Sequence, residues 1–170
     1  MPKNILKQDY MRYPKASDMP AFQKYFRKVQ STSCFPLQLF YKVIFRILKE
    51  IRCVELPKAT KIGPGLYLGH AYNITINHRA IIGKNVNIHK GVTIGQTNRG
   101  GRQGTPVIGN EVWIGINATI VGKVTIGDDV LIAPNSYVNC DVPSHSIVFG
   151  NPCIIKHREN ATEGYINRKV

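Results

Sequence analysis

The sequence is poor in acidic residues, in cysteine and in long hydrophobic runs, and each shortage excludes a class of protein. Ten Asp and Glu residues stand against 23 Lys and Arg, and the resulting net charge of +13 favours an anionic partner. The four cysteines form no Cys-x-x-Cys pair or disulfide-like framework, which predicts reduced thiols in a cytoplasmic protein. No apolar run reaches the roughly 18 residues of a membrane span, and we expect no cleavable signal.

Helix-turn-helix, zinc-finger and RNA-binding signatures are also missing. The basic residues are spread over both halves of the chain instead of forming one patch. We therefore expect no nucleic-acid partner, and the positive charge is better explained by a phospholipid surface or a phosphate-rich cofactor.

Aliphatic residues recur every six positions between Ile62 and Val138. A period of six fits neither an amphipathic helix nor an alternating strand, and it is typical of a parallel β-helix. In that fold the inward aliphatic residues of successive coils stack into a continuous apolar column. We therefore predict an all-β solenoid of hexapeptide repeats with a short N-terminal α-helical region. The predicted inward residues are Ile62, Leu68, Ile74, Ile82, Ile88, Ile94, Ile108, Ile114, Ile120, Ile126, Ile132 and Val138.

Two interruptions of the period predict loops on the outside of the solenoid. One adds two residues between Ile74 and Ile82, and the other adds eight between Ile94 and Ile108. The longer insertion is rich in glycine and carries Arg99 and Arg102. We expect it to be a flexible cationic flap that forms one wall of a substrate site, and the alternative is a solvated loop.

The first 56 residues differ in character from the repeats. Residues 1–19 are polar and irregular, residues 20–30 predict a short helix, and a longer amphipathic helix is predicted from Pro36 to about Cys53. The longer helix caps the open end of the solenoid or packs on a neighbouring subunit, or else its basic flank lies on a membrane surface. The predicted division is an N-terminal helical region, 1–56, a β-helix domain, 57–158, and a C-terminal tail, 159–170.

Several motifs in the repeats resemble those of serine acetyltransferases. They are Gly65-Leu66-Tyr67-Leu68-Gly69-His70-Ala71, Asn87-Ile88-His89-Lys90-Gly91-Val92-Thr93-Ile94-Gly95, Val107-Ile108-Gly109 with Trp113-Ile114-Gly115, and Asp141-Val142-Pro143 with Gly150-Asn151-Pro152. The resemblance covers roughly residues 57–158 and extends to the hexapeptide-repeat acyltransferases in general, whose fold is a left-handed parallel β-helix. It implies acetyl transfer from acetyl-CoA to a hydroxyl of a small acceptor, in a homotrimer with active sites between subunits.

Acetyl transfer to a hydroxyl needs a base, and a neutral imidazole is the usual base near pH 7. The resemblance makes His70 this general base, because it matches the catalytic histidine of the family's Leu-x-His-Ala stretch. His89 follows Ile88, which should stack on Leu68 about 4.8 Å away. We therefore expect His89 on the same face as His70, where it would orient or polarise the substrate. The alternative for each histidine is a structural or surface role. Backbone N–H groups would stabilise the oxyanion.

Two departures from the serine acetyltransferase pattern put the acceptor in question. Gly69 stands where the family usually has an aspartate before the catalytic histidine, and Thr105 stands where it has a second histidine before a proline. A serine ammonium needs an anionic partner, and Gly69 cannot supply one. The acceptor hydroxyl therefore belongs either to serine or to a sugar, as in enzymes that modify glycans.

The resemblance also places CoA in the groove between adjacent β-helices, near the C-terminal coils. Motif by motif, Ile116 and Pro134 match positions where backbone groups contact the pantetheine arm, and Asn139 and Cys140 match the following turn of this CoA-binding region. The cationic residues Lys156 and Arg158 then follow, in place to meet the CoA phosphates. Ile116 and Pro134 replace the small residues usual at their positions, which backbone contacts tolerate better than side-chain contacts do.

Two other classes of β-helix protein remain as alternatives. A γ-class carbonic anhydrase needs three histidines that converge on zinc, two of them closely spaced. Here His78 and His89 lie eleven residues apart, and no cluster of Asp, Glu and His accompanies them, so we expect no metal. A non-catalytic CoA-binding solenoid would need neither the loop with Arg99 and Arg102 nor the histidine pair.

Overall fold

Hexad spacing produces a coil of three short strands per turn in the computed structural model, which describes residues 4–170. About five turns of a left-handed parallel β-helix follow three N-terminal α-helices. The helices are α1 (Ile5–Met11), α2 (Ala21–Ser31) and α3 (Phe35–Ile51), with a 3₁₀ turn at Ala16–Asp18. Residues 1–3 of the predicted N-terminal region lie outside the described residues.

The strands form three parallel sheets, one on each side of the coil. The strands are β1 (Lys61–Ile62), β2 (Tyr67–Gly69), β3 (Thr75–Ile76), β4 (Ile81–Ile82), β5 (Asn87–His89), β6 (Thr93–Gly95), β7 (Val107–Ile108), β8 (Val112–Ile114), β9 (Thr119–Val121), β10 (Thr125–Ile126), β11 (Val130–Ile132), β12 (Tyr137–Val138), β13 (Ser146–Phe149) and β14 (Ile154–His157). One face has the order β1-β4-β7-β10, the second β2-β5-β8-β11-β13-β14, and the third β3-β6-β9-β12. Among these described strands, only β14 runs antiparallel to its neighbour, β13.

The predicted apolar column is confirmed, with one error in its register. All twelve predicted inward residues are buried, and Ile88 stacks on Leu68 as expected. However, Ile94 pairs with Ile76 and not with Ile74. The two extra residues therefore lie between Leu68 and Ile76, in the corner that carries His70. The sequence was ambiguous because the residue two places before an inward residue is also apolar and buried, so either isoleucine fits the column.

A buried polar network joins α1 and α2 to the first coil. The carboxylate of Asp9 is fully buried and accepts hydrogen bonds from Arg27 Nε (2.8 Å), Gln23 Nε2 (3.1 Å) and the backbone N–H of Leu66 (3.0 Å). Arg27 in turn donates to the carbonyl of Ile62 at 2.8 Å. These side chains pair with backbone groups of the first coil that have no preceding coil to bond with.

Tyr13 completes this cap at the outermost strand, β2. Its hydroxyl accepts the backbone N–H of Leu68 at 2.8 Å and donates to Gln23 Oε1 at 2.7 Å. Covering of the open end was expected, but the segment 1–19 was predicted to be irregular, and that was wrong for α1. A helix of seven residues is too short to show helical periodicity in the sequence.

The apolar face of α3 does not take part in the cap. Phe45 is buried against Phe26, with ring centroids 5.8 Å apart, but the opposite face of the helix is open. Within residues 4–170, no helix is both long enough and apolar enough to cross a membrane. The large apolar residues of α3 that are exposed are Phe35, Leu37, Leu39, Phe40, Val43, Ile47 and Ile51.

The C-terminal segment 159–170 folds back along the β-helix from the fourth coil to the first. Asp129, near the start of this path, accepts hydrogen bonds from the backbone N–H of Ala161 (2.9 Å) and from both the N–H (3.0 Å) and the hydroxyl (2.7 Å) of Thr162. At the far end, Asn85 Nδ2 donates to the carbonyl of Val170 at 3.0 Å. Asn85 belongs to the second coil, and the side chain of Val170 lies beside Gly65 of the first coil, so the end of the tail packs against both coils.

Candidate active site

His70 lies at the corner of the coil that follows β2. Its backbone is in the left-handed region (φ 52°), and its side chain is exposed. Within residues 4–170, the imidazole makes no hydrogen bond or ion pair, so both ring nitrogens are open to an acceptor molecule. No carboxylate orients it, in agreement with the glycine at position 69. In pairing between β2 and β5, Gly69 lies opposite His89.

The ring of His89 occupies the space that a side chain at position 69 would need. A Cβ atom built on Gly69 would lie 2.5 Å from both Cε1 and Nδ1 of His89. On its other side the ring packs against Trp113, with centroids 4.8 Å apart. The glycine that replaces the family's aspartate is thus required by the position of this histidine.

His89 is half-buried, and its Nε2 atom is buried without a hydrogen-bond partner in the described part of the chain. Burial, with a smaller contribution from the charge of nearby His70, lowers the pKa of His89 to about 4. The imidazole is therefore neutral at pH 7. A group with so low a pKa accepts a proton poorly at pH 7, so His89 is poorly suited to act as the general base.

The long loop is better ordered than the predicted flap. Thr97 and Gly104 exchange backbone hydrogen bonds of 3.0 Å, which closes the loop as a short antiparallel pair. Arg102 reaches Asp141, with Nη1 and Oδ2 3.3 Å apart, and both side chains are exposed. Such an exposed pair contributes only about 0–1 kcal/mol. Arg99 stays exposed at the tip of the loop, so the structure does not bring the two arginines to one point.

Ile116 and Pro134, two of the predicted CoA residues, occupy equivalent corners of consecutive coils. Asn135 donates its backbone N–H to the carbonyl of Ile116 at 2.9 Å. Gly115 allows this close approach, because a Cβ atom there would lie 2.6 Å from the backbone nitrogen of Pro134. Both corner residues present surface on the outside of the coil, with Ile116 half-buried and Pro134 exposed.

Asn139 and Cys140 lie in the turn after β12. Asn139 is exposed, and the Sγ atom of Cys140 lies 3.6 Å from that of Cys153. Burial and the contact with Cys153 raise the pKa of Cys140, which favours the neutral thiol. No disulfide links the described cysteines, in line with the expected reduced thiols.

Lys156 lies in β14, and Arg158 directly follows this strand. Lys156 pairs with Ile147 across the antiparallel strands β13 and β14, and its Nζ lies 5.8 Å from the ring centroid of Phe149. Arg158 has an exposed side chain. Within residues 4–170, no hydrogen bond or ion pair joins these cations to Ile116 or Pro134. In the same residues, no cluster of His, Cys, Asp and Glu is arranged to hold a metal ion.

A row of aromatic side chains beside His89 was missed in the sequence. A cleft of about 190 Å³, the aromatic cleft, opens there, and its lining includes Arg12, Tyr67, His89, Trp113, Tyr165 and Arg168. Tyr67 and Trp113 immediately precede inward residues, so strand alternation could have placed them outside. Arg12 and the tail residues carry no periodic signal.

The chain is similar to hexapeptide-repeat transferases and to serine acetyltransferases. The family model for bacterial transferase hexapeptide (six repeats) matches residues 105–140. Serine acetyltransferase 2 of Arabidopsis thaliana is 38% identical over 105 residues, which are 62% of this chain and 32% of that protein.

Solved structures of serine acetyltransferases share the fold. The enzyme of Neisseria gonorrhoeae in complex with serine superposes with a TM-score of 0.70 and 30% identity over 89% of this chain and 66% of that one. A serine acetyltransferase in complex with CoA gives a TM-score of 0.66 and 27% identity over 79% of this chain and 55% of that one. This chain thus spans less than two thirds of the length of each of these relatives.

Proposed function

The chain is a hexapeptide-repeat β-helix protein similar to the serine acetyltransferases, and from this premise we propose that it is an acetyl-CoA-dependent O-acetyltransferase. The single observation that carries the proposal is the placement of His70. A histidine at the position of the family's catalytic residue lies on an exposed corner of the coil, with neither ring nitrogen engaged. The proposed active domain is the β-helix, residues 57–158, flanked by the helical region 1–56 and the tail 159–170.

In the proposed mechanism His70 takes the proton of the acceptor hydroxyl as its oxygen attacks the thioester carbonyl carbon of acetyl-CoA. The C–O bond forms, the C–S bond breaks, and the proton on His70 passes to the departing thiolate. Backbone N–H groups stabilise the oxyanion formed between these steps. His89, neutral at pH 7, serves to position the acceptor. The acetyl donor is already activated, so no covalent enzyme intermediate is needed.

Acetyl-CoA is the proposed co-substrate, and relatives support it through a solved CoA complex. Ile116, Pro134, Asn139 and Cys140 are proposed to contact the pantetheine arm. Lys156 and Arg158, both exposed, would attract the CoA phosphates, and Arg99 and Arg102 would border the acceptor side from the long loop. Because the phosphate contacts are exposed, CoA affinity should fall as salt is added, with screening over roughly 8 Å at physiological ionic strength.

The proposed assembly is a cytoplasmic homotrimer. Seven large apolar side chains are exposed along α3, more than an isolated monomer usually presents in one patch. We assign this face to contact with a neighbouring subunit. Light scattering should give the mass of three chains, and flotation with anionic vesicles should leave the protein unbound. Monomers that float with the vesicles would assign α3 to a membrane surface.

Thiol release from acetyl-CoA tests the proposed activity. The His70→Ala variant should lose about 10²–10⁴-fold in turnover with CoA affinity little changed, because only the base is removed. His78→Ala is a matched control, since His78 is also exposed and the family resemblance gives it no role, and it should behave as wild type. Wild-type turnover in His70→Ala would remove His70 as the base. No thiol release with serine or any sugar would leave a non-catalytic CoA-binding solenoid.

A further inference from the structure

The aromatic cleft lies beside the corner that carries His70, and nothing in the family resemblance assigns it a role. We propose that it binds a sugar ring and that the acceptor is therefore a glycosyl hydroxyl instead of the hydroxyl of free serine. This inference rests on the proposed function and names its acceptor class. His70 directly follows Gly69, over which the His89 ring lies at one wall of the cleft.

The walls of the cleft are flat and mostly aromatic. Trp113 lies between His89, at a centroid distance of 4.8 Å, and Tyr165, at 5.1 Å in an edge-to-face arrangement. Tyr67 flanks the histidine from the other side at 6.4 Å. Ligand sites commonly combine such apolar walls with a few placed polar groups. The C–H-bearing face of a pyranose ring fits against an aromatic surface, and its hydroxyls remain free for the polar groups.

His89 supplies a polar group that has no partner in the protein. Its Nε2 atom is buried and has no partner in the described part of the chain, and leaving such an atom unpaired is unfavourable. A neutral imidazole nitrogen either donates or accepts, and a hydroxyl can do both. A sugar hydroxyl in the cleft would therefore satisfy Nε2 in either tautomer.

The charge of the cleft leaves the ammonium group of an amino acid without a partner. Two arginines, Arg12 and Arg168, line it, and no Asp or Glu is among the lining residues that the structure describes. Serine is zwitterionic at neutral pH, so these arginines attract its carboxylate, but they repel its α-ammonium group, for which the cleft offers no carboxylate. A neutral or acidic sugar carries no ammonium group and meets no such repulsion.

The cleft is held in shape before any ligand arrives. Asn87 Nδ2 donates to the carbonyl of Tyr165 at 3.2 Å, and Arg12 Nε donates to the carbonyl of Asn167 at 3.0 Å. These bonds fix the tail segment that contributes Tyr165 and Arg168. A preformed wall reduces the ordering cost of binding.

Trp113 is the only tryptophan of the chain, so its fluorescence reports on the cleft directly. The experiment titrates the intact protein, without acetyl-CoA, with N-acetyl-D-glucosamine, methyl β-D-galactopyranoside, sodium D-glucuronate and L-serine. We expect a saturable change with at least one sugar and none with serine. His89→Ala and Arg168→Ala should weaken that binding roughly tenfold each, while Arg79→Ala, an exposed arginine elsewhere, should not.

Circular dichroism spectra of the variants exclude a folding defect as the cause of weaker binding. A response to serine alone, or no saturable response to any of the three sugars, would overturn the inference. Thiol release distinguishes this failure from that of the proposed function. Turnover with serine and no sugar binding leaves the acetyltransferase standing without the sugar site, and sugar binding without thiol release leaves the site without the activity.

Discussion

The contact between Gly69 and His89 allows a quantitative test of the site geometry by replacing Gly69 with alanine. The backbone at Gly69 is outside the left-handed region, so alanine meets no conformational penalty there, and only the new methyl group matters. That methyl would lie 2.5 Å from two atoms of the His89 ring, which Trp113 holds from the other side. Either the ring or the strand must move.

Two opposing effects set the size of the change. Overpacking of this kind costs about 1–3 kcal/mol. Replacing glycine by alanine also restricts the unfolded chain, which stabilises the fold by about 0.4–1 kcal/mol. The Gly69→Ala variant should therefore lose up to about 2.6 kcal/mol in the free energy of unfolding, a fall in Tm of up to about 10 °C for a chain of this size.

Gly101→Ala is the matched control, because a Cβ atom at Gly101 meets nothing within 4 Å. It should be neutral or slightly stabilising. In a His89→Ala background the ring is gone, so Gly69→Ala should then behave like the control. Urea unfolding at fixed protein concentration measures all four variants. Equal stability of Gly69→Ala and Gly101→Ala, or a loss that persists without the His89 ring, would show that the described contact does not exist.

Two further predictions concern the ends of the chain. Asp9→Ala should lower the free energy of unfolding by about 3–5 kcal/mol, because it leaves buried Arg27 without its carboxylate. The control variant Asp18→Ala, at an exposed site, should change stability little, and a similar effect of both variants would refute the buried network. Asp129→Asn should release the tail at a cost of about 1.5–3 kcal/mol. Burial opposes ionisation of Asp129, but hydrogen bonds from Thr162, His145 and Ala161 outweigh it and lower the pKa of Asp129 below the ordinary 3.8. The stability that ionised Asp129 contributes is therefore present above pH 3.8 and lost as the pH falls. The hydrogen bond to Asp129 raises the pKa of His145 above 6.5, so that contribution is present below 6.5 and lost as the pH rises. The stability difference between wild type and Asp129→Asn should therefore be largest between these two values, and a flat difference across pH would contradict the anchoring role of the pair.

The fold could be predicted because each hexapeptide repeat encodes one side of a coil by itself. Ile82, Ile88 and Ile94 mark one complete turn, and the same spacing repeats along the chain, so errors at one position are corrected by the others. Where the spacing does not repeat, the register of the coil could not be predicted from the sequence. The corner between Leu68 and Ile76 has no second example in the chain, and the choice between Ile74 and Ile76 required the pairing with Ile94.

The candidate site also has features that the sequence predicted and features that only the structure shows. His70 and His89 were found because they sit next to repeat anchors and match a known motif, although their roles remain predictions. The reason for Gly69 was not visible, because the clash that it avoids comes from a ring in the next coil, twenty residues away in sequence. The pKa of His89 also depends on burial by Trp113 and its neighbours, which no local pattern reports.

By itself, then, the sequence determined the solenoid, its core and the position of the histidine at its corner, because these depend on spacing within short repeats. Only the tertiary structure decided how the two ends close the molecule. Asp9 and Arg27 meet the first coil, and Tyr165 and Arg168 return to it from the far end of the chain. Such contacts join residues that lie far apart in the sequence, 57 positions for Asp9 and Leu66 and 155 for Arg12 and Asn167, through single hydrogen bonds. They leave no period in the sequence, and they build the aromatic cleft beside His70.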